Sequence, residues 1–74
     1  MERDQAYGIA KKSNIDNTIA AIEQACYQGK DYVDCYIPFL DNIEELMRMG
    51  YSCTQINECG LYEISWGDFD YGNA

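Results

Sequence analysis

The sequence predicts an α+β fold in the order α-β-α-β-β, with two helices packed on a small three-stranded β-sheet. Three observations carry that expectation. The chain has 74 residues, enough for one core and no second one. Apolar residues recur at helical spacing in two stretches and at alternate positions in others. Glycine, proline and asparagine stand between those stretches, where the chain has to turn. One domain spanning 1–74 follows, with 1–12 and 67–74 more loosely held.

The first helix starts near Ser13 and Asn14. Ile15, Ile19, Ile22 and Cys26 recur every three or four residues, which makes one helical face. Ala20, Ala21 and Ala25 favour helix, and Gly29 suits a left-handed stop. Ala6, Ile9 and Ala10 would extend this helix backwards, with Gly8 counting against it. Residues 31–37, DYVDCYI, alternate between Val33, Cys35 and Ile37 on one side and Asp34 and Tyr36 on the other. That is a half-buried strand, closed by Pro38, which has no donor for a ladder. Asp41 reads as an N-cap with Glu44 three positions on. Ile43, Leu46 and Met47 supply the apolar face of a short second helix, and Gly50 ends it. Tyr51 to Ile56 and Leu61 to Trp66 then form a hairpin across Asn57-Glu58-Cys59-Gly60. Tyr62, Ile64 and Trp66 share one face of the last strand; Leu61, Glu63 and Ser65 share the other.

Charge narrows the function. Five basic and thirteen acidic residues give a net charge of −8, with 47% apolar residues. The apolar fraction is too high for a disordered acidic tail. No apolar run reaches the roughly 18 residues that a membrane span needs. The polar start, MERDQAYG, leads us to expect no signal peptide and a cytoplasmic protein. Phosphates would repel this surface, so direct nucleic-acid binding is not expected. Arg3, Lys11 and Lys12 hold most of the basic charge, and residues 13–74 carry eleven acids against two bases. The acidity therefore belongs to the folded body.

Histidine is absent, which removes the commonest general base and metal ligand. The cysteines, at 26, 35, 53 and 59, show no C-x-x-C pair and do not match the close ligand spacing of zinc modules. They are expected as reduced thiols, with Cys26, Cys35 and Cys53 as small core residues and Cys59 exposed in a turn. Asp68 and Asp70 with Asp31 or Asp34 lack EF-hand spacing. No catalytic residue, metal or cofactor is expected, because a chain this small has little room for a cleft.

What remains is acid with tyrosine. Seven tyrosines, one tryptophan and two phenylalanines make the chain 14% aromatic. Tyrosine is enriched at protein interfaces, and carboxylates around it suit a basic partner. The candidate partner-binding residues are Asp31, Asp34, Tyr36, Asp41, Glu44 and Glu45, then Glu63, Asp68 and Asp70. A row of carboxylates can imitate the phosphates of a duplex and enter a basic nucleic-acid site. The bland reading is an acidic surface that keeps a small protein soluble. A second candidate set, Arg3, Tyr7, Lys11 and Lys12, would hold a nucleotide or other small ligand in a dimer. A homodimer is expected because a core of this size is marginal alone.

From the second helix on, the chain reads LDNIEELMRMGYSCTQINECGLYEISWG. Its skeleton is Leu46, then Gly50-Tyr51, then Ile64-Ser65-Trp66. This resembles small acidic bacteriophage and mobile-element proteins, in which a helix ending in Leu-x-x-x-Gly-Tyr precedes a hairpin ending in Ile-Ser-Trp. Such proteins include inhibitors of host defence, among them anti-CRISPR proteins. The resemblance implies an inhibitor whose partner is a CRISPR effector or another host defence protein. A structural or regulatory phage module is the remaining expectation.

Overall fold

The computed structural model describes residues 1–67. Helix α1 spans Arg3–Tyr27, strand β1 Tyr32–Tyr36, helix α2 Leu40–Arg48, strand β2 Ser52–Gln55 and strand β3 Leu61–Ser65. The fold is α+β in the expected order. The sheet is antiparallel throughout, in the order β1-β3-β2. β3 is thus central, and β1 and β2 are its edges.

Both helices end as their glycines require. Gly29 and Gly50 adopt φ of 78° and 102°, a region closed to most side chains. Past α1, Lys30 N–H reaches Ala25 O at 2.9 Å and Gly29 N–H reaches Cys26 O at 3.0 Å. Past α2, Tyr51 N–H reaches Leu46 O at 3.1 Å and Gly50 N–H reaches Met47 O at 3.0 Å. These paired bonds satisfy carbonyls that a helix end leaves open. In the hairpin loop, Asn57 Oδ1 accepts from the N–H groups of Cys59 (2.9 Å) and Leu61 (3.3 Å). That side chain stands in for a backbone turn.

The core is Ile22, Ile37, Ile43, Leu46 and Ile64, with Ile15, Val33, Cys35, Tyr51, Cys53, Tyr62 and Trp66 packed around it. Leu46 and Ile64 have no exposed surface. Each such side chain contributes about 1.5–3 kcal/mol by leaving water. The helices therefore cover one face of the sheet, and no described element covers the other.

Several expectations need correction. Helix α1 begins at Arg3, so most of the segment expected to be loose is helical, although residues 1–10 are all exposed. Gln5 Oε1 accepts the Glu2 N–H at 3.1 Å and helps start the helix there. The buried face of α1 runs through Thr18, Ile22 and Ala25, leaving Cys26 exposed and Ile19 40% exposed. One residue is about 100° on a helix, so Cys26 turns off the face that Ala25 occupies. Phe39, not Asp41, is the N-cap of α2. Asp41 lies in the first turn, where its charge still favours the helix. Met47 is exposed, and the side facing the core is Asn42, Ile43 and Leu46. Gly67 is described; the remainder of 67–74, expected to be loose, lies outside the described residues.

Asn42 explains how two polar faces pack together. It is 5% exposed, and its Nδ2 donates to Lys11 O (2.9 Å) and Asn14 Oδ1 (3.0 Å). Asn14 Nδ2 donates onward to Tyr36 O at 2.9 Å. The Thr18 hydroxyl donates to Asn14 O at 2.8 Å. One network thus joins α1, α2 and β1 and satisfies each buried amide.

Candidate protein-binding face

The bare face of the sheet is set by the register. Tyr32 pairs with Ser65, Asp34 with Glu63, and Tyr36 with Leu61. On the other side Ser65 pairs with Ser52 and Glu63 with Thr54. Val33, Cys35, Ile64 and Cys53 face the helices, so strand alternation turns these partners outward. The face carries two tyrosines, two carboxylates, three hydroxyl residues and one leucine. No lysine or arginine lies in any of the three strands.

Asp34 and Glu63 form the centre of this face. Ile37 N–H bonds Gly60 O at 2.8 Å, and Trp66 N–H bonds Asp31 O at 3.0 Å. Counting inward by twos makes Val33–Ile64 and Cys35–Tyr62 the hydrogen-bonded pairs. Asp34–Glu63 is then a non-hydrogen-bonded pair, the arrangement that brings side chains closest. Like charges directly opposite destabilise a sheet. Tyr32 and Tyr36, 45% and 59% exposed, stand on either side of Asp34 on this face. Gly60 helps to place Tyr36: an added Cβ there would come within 3.1 Å of the tyrosine ring.

The sequence candidates divide between two sides of the molecule. Asp34, Tyr36 and Glu63 come together on the bare face. Asp31 precedes β1, and its carboxyl group occupies the space that a Cβ on Gly67 would fill. Asp41, Glu44 and Glu45 lie on α2, in the helix layer, and do not join that face. Asp41 pairs with Lys11 at 3.2 Å, and Glu45 pairs with Arg48. Asp68 and Asp70 lie outside the described residues. Tyr32, Thr54 and Ser65 join the face, although none of them is among the candidate partner-binding residues. Alternation places each on a side of its own strand, but only the register puts them beside Asp34 and Glu63.

The second candidate set lies along the first half of α1. Tyr7 meets Phe39 edge-on at 5.3 Å between ring centroids. Lys11 Nζ lies 5.8 Å from the Tyr7 ring centroid, besides its bond to Asp41. Lys12 pairs with Asp16 at 3.3 Å. Lys11 and Lys12 are thus engaged within the chain, whereas Arg3 makes no ion pair among the described residues, and no pocket is present among them. Nor do the described residues contain a group of three or more potential metal donors, or a helix long and apolar enough to cross a membrane.

All four cysteines are unpaired, with Cys26 and Cys59 exposed. Burial pushes the Cys35 thiol pKa upward, and the Asp34 charge adds to the rise. Burial alone pushes Cys53 upward. Both thiols face the helices, and both are held in the neutral, less nucleophilic form.

Family models, curated proteins and solved structures return no match to this chain.

Proposed function

We propose that the chain is a small stoichiometric inhibitor, phage-type and anti-CRISPR-like. Its acidic, tyrosine-bearing sheet face would occupy a basic nucleic-acid site on a host defence effector, in the host cytoplasm. The observation that carries this reading is the Asp34–Glu63 pair. Two carboxylates opposed across a bare face lower stability, yet a cationic groove would relieve their repulsion on docking. Tyr32 and Tyr36 would add apolar contact at little entropic cost. The sequence resemblance to small phage proteins points to the same class of partner. A dimeric nucleotide sponge on Arg3, Tyr7, Lys11 and Lys12 has less support, because Lys11 and Lys12 already face Asp41 and Asp16.

The test is competition. Purified CRISPR effectors and host nucleases are loaded with labelled DNA, and displacement by this protein is followed by anisotropy. Stoichiometric displacement that fades at about 0.5 M salt, where the screening length is about 4 Å, supports the reading. Displacement undiminished at that salt, or none with any effector, overturns it.

A further inference from the structure

We propose that the free edge of β1 receives an extended basic segment of the partner protein as a fourth strand. This deepens the function proposed above and rests on it.

Among the described residues, the sheet order leaves β1 without a neighbour on one side. The same ladder phase that makes Asp34–Glu63 a non-hydrogen-bonded pair turns the backbone N–H and C=O of Tyr32, Asp34 and Tyr36 away from β3. The outward C=O of Tyr36 is capped by Asn14 Nδ2 at 2.9 Å. No described residue does the same for the backbone groups of Tyr32 or Asp34. Cover over this edge is incomplete, because Val33 and Cys35 are only half-buried although they face the helices.

Natural edge strands are usually guarded by lysine, proline, a bulge or a covering element. β1 contains no lysine or proline, and its register runs unbroken across five pairs. An edge of this kind is a template for strand addition. Charge selects the occupant. Asp34 lies on this edge with Glu63 opposite it on the same face, so a segment that places lysine or arginine on that face, at alternate positions, complements it. A second copy of the chain fits less well, since each copy carries a net charge of −8. Pairing of two β1 strands centred on Asp34 would also set that residue beside its own equivalent. The other edge, β2, is Ser-Cys-Thr-Gln and offers no charge to select a basic strand.

The experiment uses the whole protein and synthetic peptides with alternating lysine and valine. Binding and amide exchange are followed by NMR in low salt. The proposal expects the lysine peptide to bind and to slow exchange at the Tyr32 and Asp34 amides. N-methylation of alternate peptide amides removes main-chain donors and keeps the charge. It should weaken binding by about tenfold or more. Equal binding of the methylated peptide overturns strand addition and leaves a basic partner standing. Equal binding of a glutamate–valine peptide overturns the charge selection. Failure of every peptide to slow those amides overturns the proposal, while DNA displacement from an effector would still report on the function itself. Sedimentation as a dimer with the same two amides protected makes a second copy the occupant and overturns it as well.

Discussion

On the helix-facing side of the sheet, the row through Val33, Ile64 and Cys53 places a fully buried isoleucine between two half-buried neighbours. One residue further along each strand, the row through Asp34, Glu63 and Thr54 is polar and bare. The two rows belong to the same three strands and differ in ladder phase, but the difference that decides their composition is cover. Under the helices each side chain is chosen for burial and shape, so truncation there leaves a cavity. On the open face that constraint is lifted, and an arrangement that costs stability persists. The comparison teaches where to look for function when the described residues form no pocket: at the row whose residues lower stability without structural need.

The largest effect should come from the covered face. Ile64→Ala removes the central side chain of the core and leaves a space that the surrounding strands cannot close. Stability should fall by about 2–5 kcal/mol, measured by urea unfolding. A loss no larger than that of an exposed substitution would mean that the two faces differ less than their burial says.

A smaller loss is expected at the polar junction above that face. Asn42→Ala removes two donated bonds, to Lys11 O and Asn14 Oδ1. It leaves those acceptors in a partly buried place, at a cost of about 1–3 kcal/mol. The same chemical denaturation series measures it. Asn42→Asp restores size but not the donors, so recovery of stability by Asp would show that only shape matters here.

Asp34→Thr should act with the opposite sign. It removes one of two opposed charges and introduces a residue that favours strands. Stability should rise by about 0.2–1 kcal/mol, while affinity for a basic partner falls. A variant that is both less stable and fully able to bind would deprive the open face of its distinction.

These contrasts were unevenly legible in the sequence. Gly29, Gly50 and the Asn57–Gly60 turn marked element ends because left-handed backbone and Asx turns demand particular residues. Alternation in DYVDCYI separated Val33 and Cys35 from Asp34. The pairing of Asp34 with Glu63 was not legible, since β1 and β3 are not consecutive and no turn sets their register. The buried roles of Thr18 and Asn42 were hidden as well. A polar residue reads as surface until its hydrogen-bond partners are known, and here they come from another turn or another element. That is also why Ile19, Cys26 and Met47 read as core. Apolar spacing identifies a helical face only approximately, and polar contacts rotated the faces actually used.

The smallest effect concerns thiols on the covered face. Burial raises the pKa of Cys35 and Cys53, so near their titration the folded chain holds more protons than the unfolded chain. Stability then falls with rising pH. Their contribution is complete below the ordinary thiol value, about pH 8.5, and is lost as pH climbs through the higher folded values. Denaturation measured between neutral pH and about pH 10 should show this decline. It should be shallower in the Cys35→Val/Cys53→Val double variant. Identical slopes would mean that the covered face does not hold its thiols neutral. Alkylation near neutral pH checks the same point independently. Iodoacetamide should modify the exposed Cys26 and Cys59 first and reach Cys35 and Cys53 more slowly, because the thiolate is the reacting form. Asp34 links this chemistry to the open face: its charge adds to the rise that burial causes at Cys35, so Asp34→Thr should speed modification of Cys35 and leave that of Cys53 unchanged.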